Sequence, residues 1–126
     1  MKKPINAQNA PAAVGPYSHG FSAGNMIFTS GQLPIDPATN AFPEGGIKEQ
    51  TAQSIKNVEA VLKAAGAELK DVISTTVYLG DMNNFAAMNA VYAEFFTGDY
   101  PARTCVEVAR LPKDALVEIS VIAVKD

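Results

Sequence analysis

One cysteine and one histidine are all the thiol and imidazole chemistry this chain possesses. With Cys105 alone, no internal disulfide can form, so the fold does not depend on oxidation. With His19 as the sole imidazole there is no CxxC, HxxxH or HExxH pair, which argues against a transition-metal site within one subunit. The glycines of "PEGGIKEQ" lack both the spacing and the Lys-Ser/Thr ending of a phosphate-binding loop. Excess positive charge is also missing. A formal net charge of −3 and a pI near 5.1 leave no general attraction to phosphate backbones or acidic membranes, so neither nucleic acid nor membrane is an expected partner. The opening "MKKPINAQNAP" has no apolar run of the signal-peptide kind, and no later stretch is long enough and apolar enough to span a bilayer. A cytoplasmic location is the expectation.

What is present is the composition of an ordinary globular protein. Its 126 residues suffice for one hydrophobic core, and residues 1–126 are read as a single domain without internal repeats. "HGFSAGNMIFTSGQ" reads as two short strands around Ala23-Gly24-Asn25. The following "LPIDPATNAFPEGG" is dense in proline and glycine and predicts a surface loop. Ala52, Ile55, Val58, Leu62 and Ala65 recur on one helical face, with Val61 beside it, so a helix runs from about Lys48 to Ala65 and stops at Gly66. β-Branched "DVISTTVYLGD" predicts a strand from Val72 to Leu79. A second helix spans about Asn84 to Phe96, with Asn83 as N-cap and an apolar face of Phe85, Met88, Tyr92 and Phe95. Two strands, Arg103–Ala109 and Ala115–Val124, close the chain around the turn "RLPKD".

The order β-β-α-β-α-β-β is that of an α+β sandwich, two helices on one face of a mixed sheet. Two helices cover only one face, yet "ALVEISVIAV" is apolar on both sides. Its second face predicts cover by another subunit, hence a homo-oligomer.

Arg103 and Cys105, two residues apart on a strand, share a face. An arginine on a strand that buries one face needs a partner. An even-length closing hairpin puts Glu118 and Ser120 on that same face and sets Glu107 nearly opposite Glu118, a like-charge neighbour that would raise one carboxyl pKa. An arginine fork and a glutamate in one cleft fit substrate chemistry: the fork grips a carboxylate and the glutamate moves protons to or from a water. They also fit a plain ion pair across a hairpin, and spacing does not separate the two. Cys105 reads as a small buried residue whose backbone carbonyl could face a ligand. Tyr17, held by Gly15 and Pro16, Ser30, and Gly31, where backbone could approach a ligand, are further candidates. Asn89 lies beside the apolar face of the second helix and reads as a capping or interface amide. His19 is left outside the site.

The segments "NAPAAVGPYSHG", "GNMIFTSGQLP", "QTAQSIKNVEAVLKAAG", "NFAAMNAVYAEFF" and "PARTCVEVARLPKDALVEI" together resemble the RidA (YjgF) family of reactive-intermediate deaminases, in order and nearly end to end. The resemblance implies a chorismate-mutase-like fold and a homotrimer whose sheets surround a central barrel, with three sites in clefts between subunits. It implies hydrolysis of 2-enamine and 2-imino acids, such as 2-aminoacrylate, 2-iminopropanoate and 2-iminobutanoate, to 2-oxo acids and ammonia without a cofactor. Position by position, Arg103 falls on the arginine that binds the substrate carboxylate and Glu118 on the glutamate that orients the water. Cys105 falls where a backbone carbonyl contacts the substrate nitrogen. Tyr17, Ser30 and Gly31 fall on the pocket wall, and Asn89 on an asparagine near the site. Ser120 departs from the pattern, standing where many members carry a second glutamate. A binding module that recognises a small carboxylate metabolite is the alternative; it would keep Arg103 and dispense with Glu118.

Overall fold

The computed structural model describes residues 1–126. Its strands and helices follow as β1 (Lys2–Ile5), β2 (Gly20–Ala23), β3 (Met26–Thr29), α1 (Ile47–Ala64), β4 (Val72–Leu79), α2 (Phe85–Phe95), β5 (Ala102–Glu107) and β6 (Val117–Val124). One six-stranded sheet has the order β1-β2-β3-β6-β4-β5. All its pairings are antiparallel except β4 with β5, which makes it the mixed sheet of an α+β fold. No helix is long and apolar enough to cross a membrane.

α1 forms where expected. Glu49 reaches back to accept the Gly46 N–H at 2.9 Å, satisfying one of the free donors at the helix start. Ile55, Val58, Val61 and Leu62 are completely buried, and they pack with Met88 and Tyr92 of α2 against Val117, Ile119, Val121 and Ala123 of β6. Strand alternation explains the selection, since odd positions of β6 point at the helices and even positions point away. The N-cap position of α2 is Asn84 rather than Asn83, and its side chain makes no capping bond; the Asp81 side chain instead accepts the Asn83 N–H at 2.9 Å and caps a short 3-10 turn over Met82–Asn84.

Two further features depart from the sequence expectations. β1 is an additional strand; "KKPI" is charged and carries a proline, and it forms as an edge strand on β2, where a missing N–H is tolerated. The closing hairpin does not exist. β4 inserts between β5 and β6, so the two last strands never pair. Residues between them form a crossover, pinned where Val108 N–H donates to the Leu79 carbonyl and Gly80 N–H to the Leu116 carbonyl. Lys113 and Asp114 both adopt φ 56° in that crossover, and Arg110 grips Asp114 through two hydrogen bonds of 2.6 and 3.1 Å.

The away-facing side of the sheet is covered only in part within the chain, Tyr78 packing against a small cluster of Leu33, Ile35, Leu111 and Ala115. Phe21, Phe28 and Ile122 lie in one row across it, and Val106, Tyr78 and Glu118 in another. Phe21, Phe28 and Val106 are exposed.

Candidate functional site

Register decides where the candidate residues go. Arg103 pairs with Thr75 and Cys105 with Val77; on the other edge of β4, Thr75 pairs with Val121 and Val77 with Ile119. These residues share the helix-facing side. Glu118 pairs with Tyr78 and Ser120 with Thr76, on the opposite side. The expectation that Arg103 and Cys105 share a face with Glu118 and Ser120 is therefore overturned, because a strand lies where a hairpin is expected. Glu107 is not opposite Glu118 either. Its carboxylate accepts the Met82 N–H at 2.7 Å, at the start of the 3-10 turn.

The candidates separate into two clusters. In the first, Arg103 projects from edge strand β5 toward α2. Its Nη1 donates to Asn89 Oδ1 at 2.7 Å. Its guanidinium carbon lies 4.9 Å from the Tyr92 ring centroid and 5.6 Å from that of Phe85, a cation–π arrangement. Tyr92 is fixed in turn, its hydroxyl 2.9 Å from the buried Thr75 Oγ1. Phe85, Asn89 and Tyr92 stand at i, i+4 and i+7 and so form one helix face. Asn89, Tyr92, Ala93, Tyr100, Pro101 and Arg103 line an open cleft. Arg103 forms no ion pair with any carboxylate of the chain, so it keeps donors for an external anion. Cys105 is half-buried and packs against the core; burial pushes its thiol pKa up, with Arg103 opposing.

In the second cluster, Glu118 rises from the open face of β6 into a cleft lined by Val14, Tyr17, Ser30, Gly31, Leu33 and Pro112. Ser30 donates to the Ser18 carbonyl at 2.6 Å, and the Tyr17 hydroxyl accepts the Val14 N–H at 3.2 Å. The carboxylate lies directly on Gly31: a Cβ there would overlap Glu118 Oε2. Glycine is required by proximity, not by backbone angle. Glu118 has no cationic partner in the chain, and burial holds its carboxyl above the ordinary glutamate range. The direction of that shift matches expectation, but its cause is desolvation rather than Glu107.

All seven sequence candidates thus lie in or beside one of the two clusters, Arg103, Asn89 and Cys105 on one side, Glu118, Tyr17, Ser30 and Gly31 on the other. Phe85 and Tyr92, which the sequence assigns to the core, belong to the first cluster as well; their i, i+4, i+7 spacing with Asn89 is the signal that points there. Tyr100, Val14 and Leu33 carry none. His19 is buried, its Nδ1 accepting the Ala7 N–H at 2.9 Å.

Comparison with known proteins gives this geometry a family. A RutC family protein of Pyrococcus horikoshii is 56% identical over the full length of both chains. The 2-iminobutanoate/2-iminopropanoate deaminase of Salmonella typhimurium is 51% identical, with 99% of each chain covered. The crystal structure of Escherichia coli TdcF with bound serine superposes with a TM-score of 0.94 at 46% identity, covering 98% of this chain and 99% of that one. Residues 7–125 match the family model described as Endoribonuclease L-PSP, and the chain belongs to that family, also known as the YjgF/RidA family.

Proposed function

We propose that this protein hydrolyses small 2-imino acids, the tautomers of 2-enamino acids, to 2-oxo acids and ammonia. The observation that carries the reading is a pair of unpaired, opposite charges, each held in place by the chain: a guanidinium fixed by Asn89, Tyr92 and Phe85, and a carboxylate pressed on Gly31. Full-length similarity to a 2-iminobutanoate/2-iminopropanoate deaminase supports the substrate class, and the serine bound by TdcF supports a pocket for an amino-acid-like carboxylate.

Because the two clusters occupy opposite sides of the sheet, each complete site takes Arg103 from one copy and Glu118 from another. The uncovered, partly apolar part of the away-facing side is where copies would pack, and a homotrimer satisfies both requirements with three equivalent sites.

Arg103 grips the substrate carboxylate with its free donors, which sets where the imine carbon sits. Glu118 holds a water against that carbon and accepts a proton as the C–O bond forms. The carbinolamine then expels ammonia: the C–N bond breaks, the nitrogen takes a proton, and the oxygen loses one to leave the C=O. The backbone carbonyl of Cys105 contacts the substrate nitrogen, while Tyr17 and Ser30 form the wall. No step requires a cofactor.

RNA cleavage is the second reading, raised by the family description. It receives less support here, since the sole imidazole, His19, is buried and accepts a backbone hydrogen bond, and the chain is acidic. RNA affinity measured against salt tests it, because phosphate binding weakens steeply as salt rises.

For the deaminase reading, 2-iminopropanoate and 2-iminobutanoate are generated in place by an amino-acid oxidase, and residual imine is trapped with semicarbazide. Wild type is expected to suppress trapping, and Arg103→Ala and Glu118→Ala are not. Folded, oligomeric wild type that leaves trapping unchanged for both substrates overturns it.

A further inference from the structure

α1 buries a polar stripe that helix periodicity does not explain. Gln50, Thr51, Ser54 and Asn57 are all buried, on a helix whose apolar face is already complete. Asn57, at 1% exposure, uses its whole amide. Its Nδ2 donates to the Leu33 and Ile35 carbonyls, each at 2.9 Å, and its Oδ1 accepts from Gln53 Nε2 at 3.0 Å. Those carbonyls flank Pro34 in a buried segment that has left the sheet, so nothing else in the chain supplies them. One residue earlier, Gln32 makes a two-way bridge to β6: its N–H donates to the Ile119 carbonyl at 2.8 Å, and Ile119 N–H donates back at 3.3 Å. The next residue back is Gly31, against which Glu118 rests. On the other flank, Gln50 Oε1 accepts the Leu116 N–H at 2.9 Å, two residues before Glu118.

We infer that Asn57, which touches no substrate, is a positioning residue: by clamping Leu33 and Ile35 it holds the Gln32–Ile119 bridge closed and Gly31 seated against Glu118. This rests on the deaminase reading for its catalytic consequence but not for its structural one. The physical logic is one of lever and wall. The segment Gly31–Ile35 has a single short bridge to the sheet, too little to fix its height over β6 to the few tenths of an ångström that an oriented water requires. Two amide donors from a rigid helix supply the second point of attachment. An apolar side chain at position 57 would fill the space but leave two buried carbonyls unpaired, and the segment would lift to hydrate them.

Asn57→Ala and Gln53→Ala, the latter removing only the group that orients the Asn57 amide, test this in the assembled protein. Two readouts are taken: backbone amide exchange, and kcat and KM with 2-iminobutanoate. Asn57→Ala is expected to speed exchange at Gln32 and Ile119 by about tenfold or more while the amides of β4 keep their protection, and to lower kcat about tenfold with KM changed less than about twofold. Gln53→Ala is expected to do the same to a smaller degree. Uniform loss of protection, or unchanged exchange at Gln32 with unchanged kcat, overturns the inference. If Asn57→Ala does not fold, Gln53→Ala decides by the same criteria. If wild type itself lacks deaminase activity, the deaminase reading fails, whereas the exchange pattern still supports or overturns the clamp.

Discussion

Arg103 and Glu118 stand on opposite faces of one sheet, with β4 between their strands. A chain acting alone cannot bring these two charges to one small substrate. If each site draws the arginine from one copy and the glutamate from the next, two inactive variants can repair one another.

Arg103→Ala and Glu118→Ala, each inactive alone, are therefore expected to regain activity when unfolded together and refolded as mixed oligomers. A site is intact when its arginine-bearing and glutamate-bearing copies both carry the native residue, so random mixing restores about a quarter of wild-type activity. Activity of the refolded mixture, against each variant refolded alone, is the measurement. No recovery, with mixed oligomers demonstrated by mass, would overturn the pairing of Arg103 and Glu118 in one shared site.

Gly31 has no special backbone angle, so an alanine there is free of conformational strain; its methyl instead meets the Glu118 carboxylate. Gly31→Ala is expected to fold normally and to lower kcat by about ten- to a hundredfold by displacing that carboxylate. Thermal unfolding and steady-state kinetics together check this, and a kcat within about twofold of wild type would contradict it.

Tyr92 has two separable roles. Its hydroxyl meets the buried Thr75, and its ring lies under the Arg103 guanidinium. Tyr92→Phe leaves Thr75 Oγ1 without that partner and is expected to cost about 1–2 kcal/mol of stability with KM nearly unchanged. Tyr92→Leu also removes the cation–π contact, worth about 1 kcal/mol, and is expected to raise KM roughly fivefold. Equal KM values for the two variants would show that the ring does not hold the arginine.

Much of this architecture is legible in the amino-acid sequence, and where the sequence misleads the causes are physical. The α1 face from Ile55 to Leu62 and the alternation of β6 follow from helix and strand periods, which local sequence encodes. Sheet order is not local. Whether β5 pairs with β6 or lets β4 between them is decided by how α2 packs and by a crossover whose Lys113 and Asp114 take left-handed backbone angles that no glycine announces. From that one misassigned pairing follow the wrong face for Glu118 and the wrong neighbour for Glu107. The candidate site residues emerge from motif resemblance, which is indifferent to register. Asn57 is hidden for another reason: a buried amide within a helix has no periodicity of its own, and its partners, Leu33 and Ile35, lie more than twenty residues away.

The last prediction concerns pH. Burial holds the Glu118 carboxyl above the ordinary glutamate range, so the folded chain keeps this proton to a higher pH than the unfolded chain. The neutral carboxyl's contribution is fully present below the unfolded value and is lost as pH rises through the folded value. Glu118→Gln, which cannot ionise, escapes that loss. Variant and parent should therefore unfold at the same temperature in acid, below the ordinary glutamate value of about 4.3. Near neutral pH the variant should be more stable by about a degree or two. Making the comparison in an Arg103→Ala background removes the guanidinium that a neighbouring copy would bring and isolates burial as the cause. If Glu118 holds the water as its carboxylate, as the proposed mechanism requires, kcat/KM of wild type should fall as pH drops through that carboxyl's midpoint. A gap in unfolding temperature that is largest in acid would reverse the sign and rule out burial as the dominant influence on Glu118.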